Sequence, residues 1–143
     1  MNPDRKEFHD NYIKNYMTDN VPSKFMIRFK HLCKKIEMYL MLDEYENLDK
    51  AIRFALKMIK KEIKNAYCRS RLTFGILKAI NLSPLVDPFD KVVEVFEKEF
   101  DEIVKEDDSI LIESWIEMHC KIFVEKERMD KEMLVHVMLT GDI

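Results

Sequence analysis

The sequence predicts an all-α protein, a compact bundle of six or seven amphipathic helices. Three observations carry this. Apolar residues recur three and four positions apart in every long segment, the spacing that lines up one face of a helix. Only two glycines and four prolines occur in 143 residues, so few positions break a helix or form the tight turn of a hairpin. No alternating apolar–polar pattern lasts beyond a few residues, as a half-buried strand would require.

Asn2-Pro3 sets a cap before a proline at the first helical position, and Phe8, Tyr12, Ile13 and Tyr16 carry a first helix over about 3–18. After "TDNVPS", Ser23 can cap a second helix, about 24–41, with Phe25, Phe29, Leu32, Cys33, Ile36 and Leu40 on one stripe. Asn47 can cap a third, about 48–67, buried through Ile52, Ala55, Leu56, Ile59 and Ile63. Leu72, Ile76, Leu77 and Ile80 mark a fourth, about 70–81, in which Gly75 is either tolerated or marks close packing. The loop "NLSPLVDP" precedes a fifth, about 88–106, with Phe89, Val92, Val93, Phe96, Phe100, Ile103 and Val104 inward. "EDDS" breaks the chain and caps a sixth, about 109–127, carrying Leu111, Trp115, Ile116, His119, Ile122 and Phe123. Asp130 can cap a short seventh, with Gly141 just past its end. The expected core is Phe29, Leu32, Ile36, Ile52, Leu56, Ile59, Phe96, Phe100, Trp115, Ile116 and Ile122.

The length fits one domain over 1–143, with a soft division at the 82–88 loop. Apolar residues at 47% and charged residues at 36% suit a solvated globule with a full core and argue against a disordered chain. The N-terminus lacks the apolar stretch of a signal peptide, and no apolar run approaches the roughly 20 residues that span a bilayer. Cys33, Cys68 and Cys120 are too few, and odd in number, for a disulfide framework. A reducing, intracellular compartment, cytoplasmic or nuclear, is expected.

Charge is polarised along the chain. Residues 23–81 hold 14 Lys/Arg and 6 Asp/Glu, a net of +8, whereas residues 82–143 hold 7 and 17, a net of −10. Lys50, Arg53, Lys57, Lys60 and Lys64 fall 3, 4, 3 and 4 apart and form one basic stripe opposite Ile52 and Ile59. Lys30, Lys34, Lys35, Lys61, Arg69, Arg71 and Lys78 extend the positive region. Such a stripe is a solvated face, a surface that pairs with the acidic line Glu94, Glu97 and Asp101 of the same chain or another copy, or a site for an acidic partner. Nucleic-acid binding would call for aromatics among the cations, and Tyr67 is the only one expected exposed near the row.

Catalytic patterns are absent. His119 and Cys120 point about 100° apart on a helix and make no dyad. His9, His31, His119 and His136 have no metal-ligand spacing, and no glycine-rich phosphate loop occurs. No cofactor or metal is implied. Seven helices in about 140 residues is the format of Bcl-2-like domains and of small helical-repeat domains; the Asn-Trp-Gly-Arg motif of cellular Bcl-2 proteins is missing, and the likeness is one of size.

These readings converge on a non-enzymatic domain that binds a protein partner, as a regulator, adaptor or assembly subunit. A partner helix or peptide would lie in an inter-helical groove, with Met38, Tyr39, Met133 and Val137 as groove candidates. The apolar stretch "MLVHVML", 133–139, must be buried in this domain or against something else. The alternative is a polyanion, above all nucleic acid, on the basic stripe.

Overall fold

A computed structural model describes residues 3–141 as seven helices: α1 (Pro3–Asn20), α2 (Ser23–Met41), α3 (Tyr45–Glu62), α4 (Ala66–Ala79), α5 (Phe89–Lys98), α6 (Phe100–Lys105) and α7 (Ser109–Thr140). The expected all-α bundle is the observed fold, and among the described residues no strand occurs. The cap expected at Asn2 lies outside the described residues.

Helix α4 is the centre of the bundle. It packs on α2, α3, α5, α6 and α7, and ten of its residues are buried. Contact with five helices explains why Tyr67 is fully buried, not exposed as its neighbourhood of charges suggested. Three polar side chains of the core are satisfied internally. Tyr67 and Ser114 share a hydrogen bond of 2.6 Å. Trp115 Nε1 donates to Ser70 Oγ at 2.8 Å, and Ser70 Oγ donates to the Phe96 carbonyl at 3.1 Å. Thr73 donates back to the Arg69 carbonyl at 2.8 Å. Buried hydroxyls are tolerated only when paired in this way.

Several boundaries depart from the sequence reading. Helix α3 stops at Glu62 because Ile63 turns extended (φ −107°, ψ 116°) and Asn65 caps the next helix, accepting from the Cys68 amide at 2.9 Å. Asn65 also donates to Tyr16 Oη at 2.6 Å, which ties the turn to α1. The single helix expected over 88–106 is parted at Glu99 into α5 and α6, although Glu99 keeps helical dihedrals. Helix α2 begins at Ser23 itself, after Pro22, and α3 begins before Asn47, whose amide instead donates to Glu44 at 3.3 Å.

The largest difference is α7, which runs unbroken for 32 residues through Asp130. Asp108 caps it, accepting from the amides of Ile110 and Leu111 at 3.1 and 3.2 Å. Gly141 ends it in the left-handed region at φ 68°, as its position predicts. The ion pairs of Arg128 with Glu125 and Glu132, and of Lys131 with Glu127, run along the helix and carry it through the place where a new start was expected.

Of the expected core, Phe29, Ile36, Ile52, Ile59, Phe96, Trp115 and Ile122 are buried, and Leu32, Leu56 and Phe100 pack half-buried against them. Ile116 is a correction: it is 46% exposed. The buried stripe of α7 is Leu111, Trp115, Met118 and Ile122, and Ile116 stands about 100° from Trp115, outside it. Phe123 is outside it for the same reason, at 63% exposure.

Candidate functional site: a basic-rimmed groove

Four helices frame a groove of about 860 Å³. Ile13 and Met17 come from α1, Met26 and Ile27 from α2, Phe74 and Gly75 from α4, and Met118 from α7. The spacing of each helix explains its contribution. Ile13 and Met17, and Met26 and Lys30, are four apart and share a face, so α1 presents two apolar residues to the groove and α2 an apolar residue with a lysine one turn away. Gly75 has no side chain to fill the groove. A Cβ there would stand 3.4 Å from the Phe29 ring, an ordinary contact, so the glycine is tolerated here and is not required by close helix packing.

The rim is basic. Lys14, Lys30, Arg71, Lys78 and Lys121 border the groove against Asp10 and Glu117. None of the four lysines has an ion-pair partner among the described residues. Arg71 is half-buried and donates to Tyr67 Oη at 3.3 Å, so one cation is held by the Tyr67–Ser114 pair beneath the groove. Converging unpaired cations around an apolar floor raise the local potential for an anionic ligand.

The basic stretch of the sequence is thereby divided. Lys30, Arg71 and Lys78 go to the groove, and Arg69 goes inward. Its guanidinium holds Glu99 with two bonds of 2.9 and 2.8 Å and donates to the carbonyls of Ile63 and Lys64 at 3.1 and 2.6 Å. Lys50, Arg53, Lys57 and Lys60 lie exposed along α3, and Lys64 follows it in the turn to α4. Lys50 pairs with Glu46 at 3.4 Å and Arg53 with Asp49 at 2.9 Å. Lys57, Lys60 and Lys64 have no ion pair among the described residues. The aromatic within the stripe is Phe54, 60% exposed, not Tyr67. A count of spacing finds Phe54, which stands one turn from both Lys50 and Lys57.

Two of the three acids of the expected line are paired elsewhere, and the third, Asp101, falls on α6. Glu94 pairs with Lys98 at 3.2 Å and Glu97 with His119 at 3.2 Å, and no ion pair joins the α3 stripe to this line among the described residues. His119 stacks on Trp115, which stacks on Phe96, with centroids 5.0 and 4.8 Å apart. That stack accounts for His119 as part of the packing between α5 and α7.

Met38, Tyr39, Met133 and Val137 do not line the groove. Met38 and Tyr39 sit at the far end of α2, exposed and half-buried respectively, and Met133 and Val137 lie beyond Ile122 on α7. Burial pushes the Cys68 thiol up to about 12 and the half-buried Cys33 thiol up to about 11, so neither is poised as a nucleophile. Cys120 is exposed on α7. The groove itself was not visible in the sequence, because its walls come from residues as far apart as Ile13 and Met118. No protein-family model matches the chain, and no curated protein or solved structure is similar to it.

Proposed function

We propose that this protein is a non-enzymatic interaction domain whose α1–α2–α4–α7 groove receives an amphipathic helix or peptide of a partner protein. The observation that carries this reading is the apolar floor ringed by unpaired lysines. An amphipathic helix presents apolar anchors at i, i+3, i+4 and i+7 to such a groove. Methionines 17, 26 and 118 in its walls suit it, since their flexible thioethers repack around different anchors. Acidic residues flanking those anchors would meet Lys14, Lys30, Lys78 and Lys121 and set orientation and on-rate. The test is selection of helical peptides from a displayed library on the wild type, with counter-selection on Ile27→Glu. Ile27 is 59% exposed, so the substitution changes the groove and leaves the core intact. Acidic amphipathic peptides that bind saturably and lose roughly tenfold or more on Ile27→Glu support the reading. Equal binding to both proteins, or no saturable binder, removes it.

A second reading is favoured by Phe54. An exposed aromatic one turn from Lys50 and Lys57 is the combination that lets a single strand stack a base while its phosphates are neutralised. The log of the affinity would then fall with log salt by about 0.7 per phosphate contacted. Titration with oligonucleotides at two salt concentrations tests it. Phe54→Ala should lower affinity without changing the salt slope, and Lys57→Glu/Lys60→Glu/Lys64→Glu should lower both. No binding at low salt leaves the stripe as a solvated face.

A further inference from the structure

Helix α7 carries three different flanks. One is the buried stripe through Trp115 and Ile122, and a second meets the groove through Glu117 and Lys121. The third is exposed along its whole length and carries Ile116, Cys120 and Phe123, then Glu127 and Lys131, then Leu134 and Met138. Their spacings are 4, 3, 4, 4, 3 and 4. Read outward from Glu127 in either direction, the steps are the same. An antiparallel pair related by a twofold axis requires a seam of this kind, since every position must be met by its mirror position on the other copy.

The chemistry of the seam follows the same symmetry. With the axis at Glu127, Ile116 meets the partner copy's Met138, Cys120 meets Leu134, and Phe123 meets the aliphatic stem of Lys131. The two Glu127 carboxylates come together at the axis, each already paired in its own helix with Lys131 at 3.4 Å, so two lysines flank two glutamates. Apolar ends and a charge-balanced centre fix one register and disfavour a slipped one.

The helix also supplies the reach. No residue after Ile122 is buried among the described residues, and the last ion pair from α7 to the body is Lys126 with Asp90 at 3.8 Å. Leu134 and Met138 are 60% and 75% exposed. The unbroken helix cannot fold back onto its own Ile116 and Phe123, so its projecting half leaves them open to a second helix. The seam from Ile116 to Met138 spans roughly 33 Å at 1.5 Å per residue.

We infer that two copies of this chain associate through an antiparallel α7–α7 pair, each projecting half lying across the exposed Ile116–Phe123 face of the other. The groove lies on a different flank, so the pairing leaves it open and its failure is independent of the groove reading. Light scattering on the full chain at high micromolar concentration reads the mass. The wild type should weigh twice 17.2 kDa, and Phe123→Glu and Leu134→Glu should each weigh 17.2 kDa with unchanged helical circular dichroism. The register has its own test. Under mild oxidation, Leu134→Cys should link covalently to the partner copy's Cys120, whereas the wild type should not link, because the two Cys120 thiols stand about 21 Å apart along the axis. A monomeric wild type overturns the inference, as does a dimer that survives either glutamate substitution. A dimer in which Leu134→Cys fails to link, or in which wild-type Cys120 links to itself, overturns the antiparallel register. Binding of a monomeric wild type to lipid vesicles would assign the projecting half to a membrane surface instead.

Discussion

Trp115 and Ser70 meet in the middle of the bundle, the indole N–H donating to the hydroxyl at 2.8 Å while that hydroxyl donates to the carbonyl of Phe96 at 3.1 Å. Three helices, α4, α5 and α7, are joined by one small side chain. The Phe96 carbonyl belongs to the last turn of α5, where a helix leaves its carbonyls without internal partners. Ser70→Ala strands both the indole donor and this acceptor and should cost about 1–3 kcal/mol. Trp115→Ala removes the stack on Phe96 and should cost about 3–5 kcal/mol. Urea unfolding followed by circular dichroism measures both, and a Ser70→Ala loss near zero would show that the relay is not held in solution.

Arg69 organises the turn between α3 and α4. It grips Glu99 with two bonds and two backbone carbonyls of the turn with two more, three of them partly buried and the one to Lys64 exposed. A planar fork makes this set of contacts and an ammonium does not. Arg69→Lys should therefore destabilise nearly as much as Arg69→Ala, each by about 2 kcal/mol. A double-mutant cycle of Arg69→Ala with Glu99→Ala should give a coupling of about 1–2 kcal/mol. A coupling within error of zero would assign the loss to the carbonyl contacts alone.

The features legible in the sequence are those set by neighbours along the chain. Asp108 precedes an apolar run and caps α7, and Gly141 follows one and ends it. Asn65 was hidden because Ile63 and Tyr67 continue the apolar period across the turn, so the end of α3 read as more than another turn of helix. Asp130 gave the opposite error. It looks like a cap before "MLVHVML", yet local ion pairs satisfy the polar stretch as helix interior. Which residues of a broad apolar stripe reach the core is decided by the neighbours it meets, which is why Met118 is buried and Ile116 is not. The basic stripe on α3 is periodic and was visible. The groove is a product of tertiary packing, and no local pattern foretells that Lys14, Lys78 and Lys121 share a rim.

Alkaline pH should unfold the protein by a traceable route. Burial raises the Cys68 thiol from 9.0 to about 12 and the Cys33 thiol from 9.0 to about 11. The hydrogen bond to Asp108 raises Tyr12, and burial raises Tyr16. Each folded-state value lies above the unfolded one. Below about pH 9 these groups are protonated in both states and their contribution is fully present. Above it the unfolded chain releases protons first, so stability falls as pH rises from about 9 towards 12. Urea midpoints measured across this range should decline, and Cys68→Ala should lower the baseline and flatten the decline. An unchanged slope in that variant would place the alkaline transition on other groups.

Thiol labelling separates the three cysteines by environment and reports on α7 at the same time. Cys120 is exposed, Cys33 is half-buried and Cys68 is buried. At pH 8 a disulfide reagent should modify Cys120 first, with Cys33 and Cys68 reacting only as fast as the fold opens around them. Opening is unimolecular, so those two rates should not change with protein concentration. If α7 pairs with a second copy across Cys120 and Leu134, the Cys120 rate should fall as protein concentration rises, following the dimer fraction. Phe123→Glu should restore the dilute rate at every concentration. A Cys120 rate independent of concentration would leave that thiol, and the seam around it, open to solvent in every state of the protein.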